Sequence, residues 1–258
     1  MRTQIQPRLR QQLWDDGWLD EESEPVKTPT LRFSPTAWAK LLYFRDKSDN
    51  EIGGFGITAP DDLLFVTEFI TVKQEVTCVT VKFDDESVSR FFDEQVDLGK
   101  KPEQFARIWL HSHPGDSPEP SATDEETFKR VFGACQWAMM CIVAQDNSTY
   151  ARLSFNTGPG GQILIPTEVD YSRDFGPSDH GAWDFEYEVD IKAVSWLNQP
   201  TLPEQGPATA APIRSTAPAL TTDLLDEFER MDPVQRQLIL DELADRPELW
   251  SSEEVMVI

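Results

Sequence analysis

Apolar residues along the chain recur with two periods, and the alternation between them marks out an α/β unit from Leu31 onward. Ser34-Pro35 fits a hydroxyl cap followed by proline at the first helical position. Trp38, Leu41, Leu42 and the stem of Arg45 then recur at helical spacing. Residues 51–58 read as a strand with glycines at 53, 54 and 56, and 63–72 and 76–83 alternate as two more. Asp84-Asp85-Glu86 opens a helix with acids suited to its positive end, and Val88, Phe91, Phe92 and Val96 form its apolar face. Residues 105–110 predict a short buried strand running into His111. A helix is expected over 121–132, and strands over 137–144, 150–155 and 162–165, the last after the turn Gly158-Pro159-Gly160-Gly161.

The ends follow different patterns. Residues 1–30 read as an N-terminal extension. Within it, 8–22 carry Leu13, Trp14, Trp18 and Leu19 as a short helix, weakened by Gly17 and ended by the acids at 20–22 and by Pro25 and Pro29. Residues 31–198 form the expected domain, with a core over about 31–166. No element is assigned to 167–198, where Trp183, Phe185, Tyr187 and Trp196 stand among many acids. Residues 199–222 are rich in Pro, Ala and Thr and read as a linker. Residues 223–258 form an amphipathic tail with Leu224, Leu225, Phe228, Leu238, Ile239 and Leu243 at helical spacing, in which Pro233 breaks or starts a helix.

Composition narrows the class. With 39% hydrophobic and 27% charged residues in 258, the chain can bury a core and keep a solvated surface. No apolar run approaches the roughly 18–20 residues needed to cross a bilayer, and no apolar stretch follows the first residues. The expectation is a cytoplasmic protein with no membrane contact. Cys78, Cys135 and Cys141 lie in apolar or strand-like runs with no Cys-x-x-Cys pair, which points to buried thiols and excludes a zinc ribbon. A net charge of −23 repels phosphate backbones, so nucleic acid is not expected as a partner, whereas a basic protein face would be attracted. The same acidity also serves solubility.

The chemistry-bearing stretch runs from His111-Ser112-His113-Pro114 to Ser121-Ala122-Thr123-Asp124. Residues two apart on a strand share a face, so His111 and His113 can converge on one ion. Proline and glycine then turn the chain, and a helix opening at Ser121 can bring Asp124 back as a third ligand. Two imidazoles, one carboxylate and an open position make a catalytic zinc arrangement. Ser-x-x-Asp before an apolar helix also resembles a capping box, in which Ser121 and Asp124 satisfy the free amides of the first turn. His180, the third histidine, stands isolated in an acidic segment and reads as a surface residue.

This string resembles the JAMM metalloproteases (also called MPN+ or JAB), which carry His-x-His-Pro, six residues, then Ser-x-x-Asp, with a glutamate well upstream. His111, His113, Pro114, Ser121 and Asp124 stand in that register, and the Ser-Pro-Glu-Pro-Ser lead-in is similar to bacterial members. The resemblance covers about 31–166. It implies an α+β fold with a curved mixed β-sheet flanked by helices, one zinc per chain on His111, His113 and Asp124, and no other cofactor. It also implies that the family's glutamate begins a strand before an apolar residue and glycine. Glu51-Ile52-Gly53-Gly54 fits this best, with Glu68, Glu75, Glu86, Glu94 and Glu103 as competitors.

In the implied mechanism zinc lowers the pKa of a water to about 7, Glu51 takes the proton and passes it to the leaving amine, and Ser121 steadies the developing oxyanion. The implied substrate is the C-terminus of a ubiquitin-like protein or its conjugate, with E1-like or E2-like proteins of a bacterial conjugation system as further partners. Other readings are a non-proteolytic ubiquitin-like-binding scaffold, a small-substrate metallohydrolase, or the DNA-repair-associated branch of the superfamily, which the net charge disfavours. Some chain-cutting members carry a second, structural zinc after the active site. Residues 156–198 offer only His180 and no cysteine, which speaks against such a site.

Overall fold

The structure, a computed structural model, describes residues 28–195, 228–229 and 231–244. The expected helix over 8–22 and the linker over 199–222 lie outside the described residues. The fold is α+β.

One mixed sheet of eight strands organises the domain, in the order β10-β1-β3-β2-β6-β7-β8-β9. Its members are β1 (Leu31–Phe33), β2 (Gly53–Ala59), β3 (Asp62–Ile70), β6 (Ile108–Ser112), β7 (Trp137–Val143), β8 (Thr149–Phe155), β9 (Gly161–Leu164) and β10 (Thr167–Val169). β6 and β7 run parallel, whereas β2 is antiparallel to both β3 and β6. Irregular register between Ile57 and Ala59 marks a bulge in β2, a device that bends a sheet. A second sheet joins β11 (Ile191–Ala193), β4 (Gln74–Thr77) and β5 (Thr80–Phe83).

Helices cover both faces of the large sheet. Alternate residues of β6 and β7 divide between two cores. Ile108, Leu110, Met139, Cys141 and Val143 face α1 (Pro35–Asp46) and α5 (His180–Asp190), meeting Leu41, Phe44 and Trp183. Trp109, Ala138, Met140 and Ile142 join the core of α2 (Asp85–Asp97), α3 (Pro102–Phe105) and α4 (Ala122–Phe132), with Phe91, Phe105, Phe128 and Phe132. Burial on both faces is why these central strands read as continuous apolar runs. Cys78 and Cys141 are buried and Cys135 half-buried, none of them in a disulfide; burial pushes Cys141 up to about 12.

Three sequence expectations are revised. Residues 76–83 are not one strand: β4 and β5 form a hairpin around Cys78-Val79. Its turn has no glycine or proline. Thr77 Oγ1 instead accepts from Val79 N and shares a hydrogen bond with Thr80 Oγ1, a local hydroxyl device. Val96 is 54% exposed, so the buried stripe of α2 is Ser87, Phe91 and Gln95. The unassigned stretch 167–198 supplies β10, which pairs in parallel with β1, and α5, whose Trp183 enters the main core.

Asp232 caps α6 (Pro233–Ala244) through Oδ1, which accepts from Val234 N and Gln235 N, so Pro233 starts this helix. Among the described residues no helix is long and apolar enough to cross a membrane.

Candidate metal centre

The site continues the packing of the second core. On α4 the buried residues are Asp124, Phe128 and Phe132, a stripe at four-residue intervals. On β6 the matching face carries Trp109 and His111, two apart. Trp109 lies 6.4 Å from Phe132, centroid to centroid, and stacks on His111 at 4.3 Å. The register that seats Phe132 against Trp109 therefore brings Asp124, two turns earlier, over His111. Asp124 Oδ1 lies 3.3 Å from His111 Nε2, and Oδ2 lies 3.5 Å from His113 Nε2.

Glu51 enters from the neighbouring strand. In the antiparallel pairing of β2 and β6, Gly53 opposes His111. The same register, continued past the strand ends, sets Glu51 opposite His113, and its Oε1 is 3.5 Å from His113 Nε2. Gly54 lets β2 lie this close to its other neighbour, because a Cβ there would sit 2.4 Å from the Ile70 carbonyl oxygen. Of the glutamates weighed from sequence, Glu51 is the one at the histidines, 1% exposed. Glu68, Glu86 and Glu94 are exposed, and Glu75 and Glu103 half-buried.

Asp124 makes the capping box and also faces the histidines, because a carboxylate has two oxygens. Oδ2 accepts from Ser121 N and Ser121 Oγ, each at 2.8 Å, while Ser121 Oγ accepts from Asp124 N at 3.1 Å. That is a complete capping box. Oδ1 remains directed at His111. Ser121 is thus joined to the centre through Asp124.

The donor set fits a divalent metal. His111, His113 and Asp124 each offer a ligand atom, and these atoms all lie within 4.8 Å of one another. His111 Nε2 stands 3.3 Å from Oδ1 and His113 Nε2 stands 3.5 Å from Oδ2, so the carboxylate reaches both imidazoles, one oxygen to each. His111 Nδ1 and Nε2 and His113 Nε2 are buried without a hydrogen bond, an arrangement costly to a protein unless another partner completes it. Glu51 is not in the group of three. Its Oε1 lies against His113, 3.5 Å from Nε2.

Electrostatics point the same way. Burial lowers the His111 pKa and outweighs the pull of Asp124. For His113 burial also acts downward, but the Glu51 and Asp124 carboxylates prevail and raise it to about 9. Burial pushes Asp124 upward, and the two histidines overcome this to hold it well below the usual carboxylate range. Positive charge is wanted at His113 Nε2, where two carboxylates converge. His113 Nδ1 donates to Ser117 O at 3.0 Å, which fixes the ring and leaves Nε2 as the nitrogen that could bind an ion.

Sequence reasoning missed three supporting residues. Trp109 shares the period-two face of His111 and was readable from it. The Ser117 carbonyl is backbone and carries no side-chain signal. Arg152 on β8 donates through both terminal nitrogens to Glu125, beside Asp124, and lies over the Phe128 ring, pinning the start of α4 to the sheet. His180 is exposed at the start of α5, stacked on Tyr43 at 4.8 Å and remote in role from the centre.

No protein-family model matches the chain, and no curated protein matches it. Among solved structures, the solution structure of protein DSY2949 from Desulfitobacterium hafniense is similar with a TM-score of 0.35 and 14% identity, covering 57% of this chain and 95% of that one.

Proposed function

We propose that this chain is a zinc-dependent peptidase of the JAMM type that hydrolyses the amide or isopeptide bond at the C-terminus of a ubiquitin-like protein. The observation that carries the reading is the buried group His111, His113 and Asp124 with Glu51 3.5 Å from His113. The motif resemblance supplies the substrate class, and the geometry supports the metal-centre part of the reading by joining Glu51, His111, His113, Ser121 and Asp124 through hydrogen bonds and ion pairs.

His111 Nε2, His113 Nε2 and Asp124 would hold the ion. Zinc supplies Lewis acidity there, activating water near neutral pH and polarising a carbonyl. Glu51 receives the proton from the attacking water and returns it to the leaving amine. Its burial among strand ends holds the carboxylate in place for both transfers. Ser121 Oγ keeps its bond from Asp124 N while its own proton, which goes to Asp124 Oδ2 in this structure, turns to the oxyanion of the tetrahedral intermediate. Trp109 keeps water from the far side of His111. The acidic surface would attract a partner with a basic face and speed its encounter at low salt.

The test is a panel of ubiquitin-like fusions and isopeptide conjugates, beside casein and small amides, at low and high salt. Cleavage confined to the junction after the ubiquitin-like C-terminus, slowed by salt, is expected. Efficient casein digestion with untouched fusions would refute the substrate class. Tight capture of a ubiquitin-like protein without cleavage would favour a scaffold.

A further inference from the structure

Two elements flank the candidate centre, and the segment of Met231, Asp232 and α6 touches both. The first is the β4–β5 turn. Glu51 N donates to Thr77 O at 2.8 Å, and Cys78 and Val79 follow directly. These two pack with Met231 and Ile239 in a small cluster of their own, bordered by Phe228 and Leu238 and separate from both main cores. Ile239 is fully buried there. The second is the loop after His113. Gly115, two residues on, lies so close to the cap of α6 that a Cβ at 115 would stand 1.8 Å from Asp232 Oδ2. That oxygen is buried and makes no hydrogen bond.

This contact has the marks of a reversible one. Its apolar part is a handful of side chains, and its polar part leaves a buried carboxylate oxygen unbonded, which costs free energy and keeps the contact weak. In sequence, the Pro-, Ala- and Thr-rich stretch 199–222 tethers the segment to the domain. Meanwhile the four residues of the centre are all between 0% and 4% exposed. A protein substrate has to reach them, and the rim formed by Cys78, Val79 and Gly115 is one hydrogen bond from Glu51 and two residues from His113.

We propose that this rim is the surface on which a protein substrate docks beside the metal centre, and that residues 228–244 are its tethered occupant, displaced when substrate binds. The word substrate rests on the peptidase reading; the occupancy of the rim by α6 does not. The segment thereby lowers activity toward anything that cannot compete for the rim.

The test uses the full chain and the double variant Met231→Asp/Ile239→Asp, which puts charge at both apolar anchors while leaving the centre and the two main cores untouched. Three readouts are followed: alkylation of Cys78, removal of zinc by excess chelator, and initial rate on a ubiquitin-like fusion. All three are expected to rise at least tenfold in the variant, with zinc stoichiometry and the unfolding transition of the domain unchanged. Unchanged Cys78 alkylation would overturn the docking. Faster alkylation with unchanged chelation and turnover would overturn the covering role. Faster alkylation and chelation without cleavage by either protein would leave the covered rim standing and remove the peptidase reading instead.

Discussion

Glu51 and His113 face one another across the ends of two antiparallel strands, carboxylate to imidazole, at 3.5 Å. Neither residue belongs to its strand. Each is carried just beyond it by the pairing that sets Gly53 opposite His111. Two side chains held this way inherit the rigidity of a sheet buried on both faces, and the geometry of a site is most precise on such elements.

The first expected outcome concerns the metal. Protein purified without chelator should contain about one zinc per chain by elemental analysis. His113→Ala should lose most of it, because Nε2 is the atom on which Glu51 and Asp124 both converge. Wild-type protein free of any transition metal would end the metalloenzyme reading.

Glu51→Gln should keep the zinc, since Glu51 stands outside the three-ligand group. The amide cannot take a proton, and turnover should fall by about 10²-fold or more, the range of general-base catalysis. Activity close to wild type would assign the base elsewhere.

The centre was legible in sequence because its parts follow local periods. His111 lies on a strand face whose alternation His113 continues just past the strand end, and Ser121 with Asp124 opens a helix. What sequence left open was whether Asp124 caps the helix or faces the histidines, a question with no single answer because its two oxygens do both. Segment 167–198 was not legible for a different reason. The three-residue strand β10 exists only because β1 lies beside it, and Trp183 shows its burial only once α5 is docked. The β4–β5 turn hid because threonine hydroxyls rather than glycine make it. The approach of Gly115 to Asp232 joins segments far apart in the chain, and no local pattern carries it.

Trp109 is the packing link between core and centre. Trp109→Ala should destabilise the domain by about 3–5 kcal/mol, as large-to-small changes in a core do, and should weaken metal binding by freeing the His111 ring. Trp109→Phe keeps a ring on His111 and should retain most of the zinc. Chemical denaturation and metal titration of both variants check this. Equal metal affinity in Trp109→Ala and wild type would show that His111 needs no such support.

Ser121→Ala and Asp124→Asn separate the cap from the ligand. Alanine at 121 removes the acceptor for Asp124 N and one donor to Oδ2. The cost should be about 1 kcal/mol of stability, together with roughly 10²-fold in turnover if the hydroxyl serves the oxyanion, while zinc stays bound. Asparagine at 124 behaves in the opposite way. Its carbonyl oxygen can take the place of Oδ2 and accept from Ser121 N, so helix α4 should keep most of its stability. Its amide nitrogen then stands where Oδ1 faced His111 Nε2 at 3.3 Å, offering a donor in place of a ligand. Zinc binding should be lost with the fold intact. Elemental analysis beside thermal unfolding decides it: a destabilised Asp124→Asn that still binds zinc would mean that Asp124 is chiefly a cap, and that the ion is held by another set of side chains.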